Sequence, residues 1–333
     1  MLLDCKKIEE ITVGAVSVED VDGAFKFHRF TSEQEALYRE RNAERINAVS
    51  HTSGISLDFI TDSSEISVGI YTDPFIQRSS LVPTVDIYED DLLVYSAEIT
   101  AERTVHRVAL SDGEKRVRIY PDCYAPCRIF DVSVDDGASV RPTPHRAHAL
   151  IYGDSITHGA RASHPSFTYA NRALSSLGWS GINQAIGGEA FRGWIPGTTR
   201  VCNPDVILVA YGTNDWYCRS TADIASFEND FFTSIRAIYK DTPVIYISPI
   251  WRNDIGKKET PGGDFYATVR MMEDIARSYG ATVIHGLELV PHSEEFLFDG
   301  LHPNDTGFLL YSDALVKAIK RIDALRDLTG ETK

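Results

Sequence analysis

IYGDSITHGA, residues 151–160, is an apolar run that stops abruptly at a glycine, an acid and a serine. It raises two questions: which sheet the strand belongs to, and whether Ser155 is an activated nucleophile or an ordinary turn residue. A lone serine after a strand is more often a cap or a turn residue. The flanking sequence must settle both.

Downstream, apolar runs alternate with helical patterns. ALIYGD is followed by ASHPSFTYANRALSSLG, whose apolar stripe at Phe167, Ala170, Leu174 and Leu177 ends at Gly178. Further strands are expected at GINQAIG (181–187), DVILVAYG (205–212), PVIYISPI (243–250) and ATVIHG (281–286). Helices are expected near 222–240, near 264–279 and from about Asp305. DVILVAYG is nearly all apolar, as a strand covered on both faces must be. This alternation predicts a parallel sheet wrapped by helices, with ligands bound outside the carboxyl ends of its strands.

Upstream, the period changes to two. ISLDFI (55–60), Glu65–Ile70, TVDIY (84–88), LLVYSAEI (92–99), TVHRVAL (104–110), RVRIYP (116–121) and RIFDVSV (128–134) alternate apolar and polar residues. They predict an antiparallel β-sandwich, jelly-roll-like. One helix interrupts it: Thr31-Ser32-Glu33-Gln34-Glu35 offers a capping-box start, and its Glu/Arg mixture reads as a solvated face. The Pro-rich connector RPTPHRAH (141–148) divides the chain into expected ranges 1–145 and 146–333.

The chain has 333 residues, 43% hydrophobic and 24% charged, with a formal net charge of −15. An acidic surface disfavours nucleic acid and anionic membrane as partners. No apolar run approaches a membrane span, and MLLDCKKIEEITVG lacks the apolar core of a secretory signal. Five cysteines, an odd and sparse set, fit a reducing compartment, so a cytoplasmic location is expected. Cys123 and Cys127 lack a second ligand pair, and no histidine pairs with carboxylates in a metal-binding pattern, so neither metal nor cofactor is expected. Oligomeric state is left open, a homo-oligomer included.

The polar residues fall at the strand ends: Gly153-Asp154-Ser155, Gly187-Gly188-Glu189, Gly212-Thr213-Asn214-Asp215 and Ser248-Pro249-Ile250-Trp251, with Asp299-Gly300-Leu301-His302 before the last helix. Singly, each has an ordinary structural explanation; together they form an inventory for acyl transfer. A serine hydroxyl needs a base, which His302 can supply. The base needs an orienting acid, and Asp299 reaches its other ring nitrogen if DGLH is turn-like. The tetrahedral oxyanion needs donors, available from the Ser155 and Gly188 N–H groups and the Asn214 amide.

The chain here resembles the SGNH hydrolases, or GDSL esterases. Gly153-Asp154-Ser155 matches the first block, Asn183 and Gly188 the second, Gly212, Asn214 and Asp215 the third, and Asp299 and His302 the fourth. Ala185 stands where many members have glycine. The resemblance covers residues 147–325. It implies an α/β class fold, a flavodoxin-like three-layer α/β/α domain with strand order 2-1-3-4-5. It also implies ester hydrolysis through an acyl-serine: Ser155 as nucleophile and oxyanion donor, Gly188 and Asn214 as the other donors, His302 as base then acid, Asp299 as its orienter. A sandwich in front looks like the layout of carbohydrate acetylesterases.

The expected substrate is therefore a small O-acylated carbohydrate, acetylated above all. Asp154, Glu189, Trp194, Trp216 and Trp251 are candidates to touch it, as is Arg161, although Asp154 also suits a role in the turn and the aromatics equally suit packing between domains. Two alternatives stand: a lipid-directed esterase, lysophospholipase or thioesterase, and a carbohydrate-binding protein that has lost turnover.

Overall fold

The computed structural model describes residues 1–75 and 81–330; the expected ranges run past these at 76–80 and 331–333. Three sheets organise the chain. The first is antiparallel, in the order Thr12–Val13, Ser56–Thr61, Lys115–Tyr120, Thr84–Glu89, Leu92–Glu98, with Val140–Pro142 also on Ser56–Thr61. The second, also antiparallel, runs Ser17–Val21, Ala24–His28, Cys127–Val134, Glu65–Thr72, Thr104–Ala109. Leu57, Phe59, Val85, Ile87, Val117 and Ile119 of one sheet meet Phe27, Ile66, Val68, Ile70 and Ile129 of the other in a single core. This is the sandwich that the period-two runs predict. The Ser17–Val21 and Ala24–His28 hairpin was not expected; it turns at Asp22-Gly23, both with positive φ, which a tight two-residue hairpin demands.

The third sheet is parallel, in the order Ser180–Asn183, His148–Gly153, Val206–Ala210, Val244–Ile247, Thr282–Ile284. That is the order 2-1-3-4-5. Alternate residues of each strand serve opposite faces. Ala149, Ile151, Val206 and Leu208 pack with helices Tyr169–Leu177 and Asp305–Lys320. Leu150, Tyr152, Ile207 and Val209 pack with Thr221–Ile238 and Phe265–Ser278. Double coverage is why these strands read as continuous apolar runs. Phe167 precedes its expected helix in a 3₁₀ turn, Pro165–Phe167. Among the described residues, no helix is long and apolar enough to cross a membrane.

The expected helix is Ser32–Arg41, with the Thr31–Gln34 capping box formed. Arg39, Glu40 and Arg41 are exposed, as a solvated face requires, but the opposite face is not solvated. Gln34 and Tyr38 are buried, and the Gln34 amide donates to Gln184 Oε1 at 2.9 Å and to the Ile195 carbonyl at 3.0 Å. The segment that follows the sandwich hairpin therefore lies against the parallel-sheet part of the chain.

Arg29 fixes that contact. It is fully buried, and its guanidinium donates to the carbonyls of His51 (2.7 Å), Ala48 (2.9 Å), Ala185 (3.1 Å) and Asn183. Burial pulls its pKa down to about 10. Carbonyls stripped of water cost free energy when left unpaired. Arg29→Met is therefore expected to destabilise the protein by on the order of 3 kcal/mol, read as a lower urea midpoint with an unchanged slope. Arg29→Lys is expected to recover only part, because a point ammonium cannot serve four divergent acceptors.

Candidate active site

The strand His148–Gly153 delivers its end to a single helical turn, Ser155–His158. Asp154 caps the turn, accepting from the Ile156 N–H at 3.0 Å. A Cβ on Gly153 would sit 2.4 Å from Thr157 Oγ1, so only glycine lets the turn close on the strand. Ser155, the first residue of the turn, stands at the carboxyl end of the sheet with 8% exposure.

The DGLH segment is a tight loop pinned by the Leu297–Pro303 bridge, with Gly300 at φ +81°. The Asp299 carboxylate accepts from the His302 N–H and Nδ1, both at 3.0 Å, from the Leu301 N–H at 3.3 Å, and from Arg161 Nε at 3.1 Å. Burial opposes the charge, but the His302 ring and backbone and the Arg161 guanidinium outweigh it and hold Asp299 well below the usual carboxylate range. A charged Asp299 requires the proton on His302 Nδ1. Nε2 is then left to accept from the Ser155 hydroxyl, 2.8 Å away.

The donors come from two further strand ends. Regular pairing of the second strand stops at Asn183, short of the expected 187, yet the Gln184 and Ile186 N–H groups still donate to Ile151 and Gly153 carbonyls. The loop thus stays alongside the Ser155 strand. Asn183 ties it down, accepting from Ala185 N–H at 3.0 Å and donating to the Thr157 carbonyl at 2.9 Å. Gly188 follows with φ +77°, where a side chain would be strained. Asn214, in helix Thr213–Cys218, gives one amide N–H to the Glu189 carbonyl at 2.8 Å and lines the same cavity as Ser155 and Gly188. A hydroxyl with a base, a base with an acid, and donors facing a common space can carry acyl transfer to and from the serine.

That cavity is about 270 Å³. Ser155, His302, Gly188 and Asn214 line it, and Arg161 borders it as well. The other substrate candidates do not. Asp154 is buried in the turn, and Glu189 is buried between Asn42 (2.9 Å) and Arg192 (2.8 Å). Trp216 is buried against Phe265, Trp194 packs edge-on to Tyr38, and Trp251 stacks on His292. The opposite wall is Glu44, Arg45, Asn47, Ala48 and His51 from the sandwich side, with Tyr124. Sequence reasoning missed these residues; Glu44 to His51 follow a helix whose surface pattern gives no hint of a cavity, and Tyr124 lies in a loop between two sandwich strands. His158 is buried beside them, accepting from Gly187 N–H at 3.0 Å and stacked on Tyr124, and burial holds its ring well below the ordinary histidine value. His145, His148 and His164 stand elsewhere, beside Asp58, Ser180 and Asp86. The five cysteines are free thiols, and among the described residues no group of three His, Cys, Asp or Glu could hold a metal ion.

Residues 151–309 match the model of the GDSL-like Lipase/Acylhydrolase family. Solved structures share the whole two-part fold. A salicylyl-acyltransferase, SsfX3, from a tetracycline biosynthetic pathway is 22% identical, with 94% of this chain and 95% of that one covered and a TM-score of 0.77. A putative GDSL-like lipase from Bacteroides ovatus is 21% identical, covering 95% and 96% with a TM-score of 0.76. A family two carbohydrate esterase from Cellvibrio japonicus is 14% identical, covering 97% of both chains with a TM-score of 0.67. No curated protein sequence matches the chain.

Burial pushes the Asp154 carboxyl from the ordinary 3.8 up to about 7. The folded state then binds a proton that the unfolded chain has released, so Asp154 makes stability fall as pH rises from about 4 to about 7. Asp154→Asn, which keeps an oxygen for the Ile156 N–H, is expected to flatten that fall in urea midpoints measured across the window. Asp122 and Asp215, both raised to about 6 by burial, leave a residual slope in both proteins. An equal slope in the two proteins would refute the buried-acid account of Asp154.

Proposed function

We propose that the protein is a serine esterase that removes a short acyl group, acetyl above all, from an O-acylated carbohydrate. The observation that carries this reading is the continuous chain from Ser155 Oγ through the His302 ring to Asp299, in one cavity with Gly188 and Asn214.

In this mechanism His302 Nε2 takes the Ser155 proton as Oγ attacks the ester carbon. The carbonyl oxygen becomes an oxyanion, met by the Ser155 and Gly188 N–H groups and by Asn214. The imidazolium, steadied by Asp299, gives its proton to the departing alcohol and leaves an acetyl-serine. Water then repeats the sequence, with His302 again as base, and releases acetate. Asp299 never changes protonation; its low pKa suits that role.

Support for a small acyl group comes from the lining, whose aliphatic members among the described residues are Ala48, Ala160 and Leu301. A fatty chain would need a longer apolar wall. Support for a carbohydrate comes from the polar rim of Glu44, Arg45, Asn47 and Tyr124, and from a layout shared with proteins described as carbohydrate esterases. A binding protein without turnover would need none of the Ser155–His302–Asp299 chain.

The test is hydrolysis of 4-nitrophenyl esters with two, four and eight acyl carbons. The acetyl ester is expected to be cleaved fastest. Ser155→Ala is expected to lose several orders of magnitude in kcat, up to about 10⁶, and Asn214→Ala about 10²–10³. Preference for the eight-carbon ester would favour the lipid reading. Turnover that survives Ser155→Ala would end the mechanism.

A further inference from the structure

Arg45 differs from four arginines near the site. Arg161, Arg192, Arg219 and Arg252 each hold a carboxylate: Asp299, Glu189, Asp215 and Asp254. Arg45 forms no ion pair among the described residues. The residue is half-buried, and the contact its guanidinium makes is exposed and long, 3.4 Å to the Gly188 carbonyl. In a chain with 48 acidic and 33 basic residues, a half-buried arginine with no acid beside it is notable. Glu44, its neighbour in the chain, is exposed and makes no ion pair with it among the described residues.

Its location gives the free donors a purpose. A Cβ built on Gly188 would lie 2.5 Å from Arg45 Nη2 and 3.0 Å from Nη1. The guanidinium therefore lies beside the glycine whose N–H is assigned to the oxyanion, and it lines the cavity with Ser155 and His302. A guanidinium presents five N–H donors in a planar fork that matches a carboxylate in two parallel hydrogen bonds. Of the other charged groups at the cavity, Glu44 lies on the rim, exposed and in no ion pair among the described residues. Arg161 is paired with Asp299, Asp299 with the His302 ring, and the buried His158 ring is neutral. Among the described residues Arg45 is left as the lining guanidinium that holds no carboxylate, next to the bond to be broken.

We propose that Arg45 selects substrates that carry a carboxylate on their alcohol half, so that the site takes the acetyl ester of a sugar acid in preference to that of a neutral sugar. This rests on the esterase reading above: with a short, uncharged acyl group, the anion must come from the sugar. The two partners meet as fork to carboxylate, and the sugar acid is drawn in while the ester carbonyl settles beside Gly188.

Two experiments test it. The first compares a mono-O-acetylated methyl galacturonoside with its carboxyl methyl ester, acetylated at the same position. The native protein is expected to favour the free acid by about ten- to a hundredfold in kcat/KM, expressed mainly in KM. Arg45→Gln is expected to bring that ratio close to one, and Arg45→Lys to restore part of it. An unchanged ratio in Arg45→Gln overturns the proposal; with parallel losses on both substrates, it would place Arg45 at the oxyanion instead. The second experiment needs no turnover. In Ser155→Ala, D-galacturonate is expected to bind more tightly than D-galactose by calorimetry, and adding Arg45→Gln to erase the difference. Equal binding of the two sugars, or a difference that survives Arg45→Gln, overturns the proposal even if the esterase is active. An Arg45-dependent difference without Ser155-dependent hydrolysis would keep the proposal and discard the esterase reading.

Discussion

The Arg29 guanidinium joins parts of the chain more than 150 residues apart, taking carbonyls from the loop after the second parallel strand and from the turn that ends at His51. Both segments reach the cavity. The loop carries Gly187 and Gly188, and the turn carries Ala48 and His51. A single planar donor set thus holds the distance between the glycine beside Ser155 and the wall opposite it. Among the described residues no carboxylate bonds this guanidinium, so its charge is met there by oriented dipoles, an arrangement that tolerates little displacement.

Around that anchor the polar contacts are arranged in pairs that cross the seam. Gln34 and Gln184 exchange side-chain hydrogen bonds, Gln184 returns one to the Arg29 carbonyl, and Asn42 reaches Glu189. Ser53 bonds the His158 carbonyl and Asn183. The sandwich side is therefore a structural half of the cavity. The residues of the chemistry stand on the parallel sheet's strand ends and on the loop before the last helix, while the shape of the space is set from across the seam.

Much of this was legible in sequence because it is local. Strand periods, the capping box at Thr31 and the strand-end polar residues are properties of neighbours in the chain, and so was the three-residue spacing that lets Asp299 reach the His302 ring. What was not legible depends on distant segments meeting. Trp194 and Trp216 looked like sugar platforms, but their neighbours Tyr38 and Phe265 claim their faces. Glu189 was a candidate to touch substrate and is instead buried between Asn42 and Arg192. Arg45 and Tyr124 carried no local signal, since nothing within a few residues of either implies a cavity. The Asp22-Gly23 hairpin is a different omission: its turn chemistry was in plain view.

The seam also bears on the order in which the chain is made. Phe30 and Tyr38 are buried by Ile186 and Trp194 in the finished protein. During synthesis from the amino terminus, those covers do not exist until about half the chain has emerged. The sandwich must therefore spend that interval with an aromatic face and the Arg29 guanidinium uncovered. Such a surface is prone to wrong contacts before its proper partner arrives. The polar rim at Arg39, Glu40 and Arg41, which looked like mere solvated surface, lies beside that waiting face and keeps its edge charged.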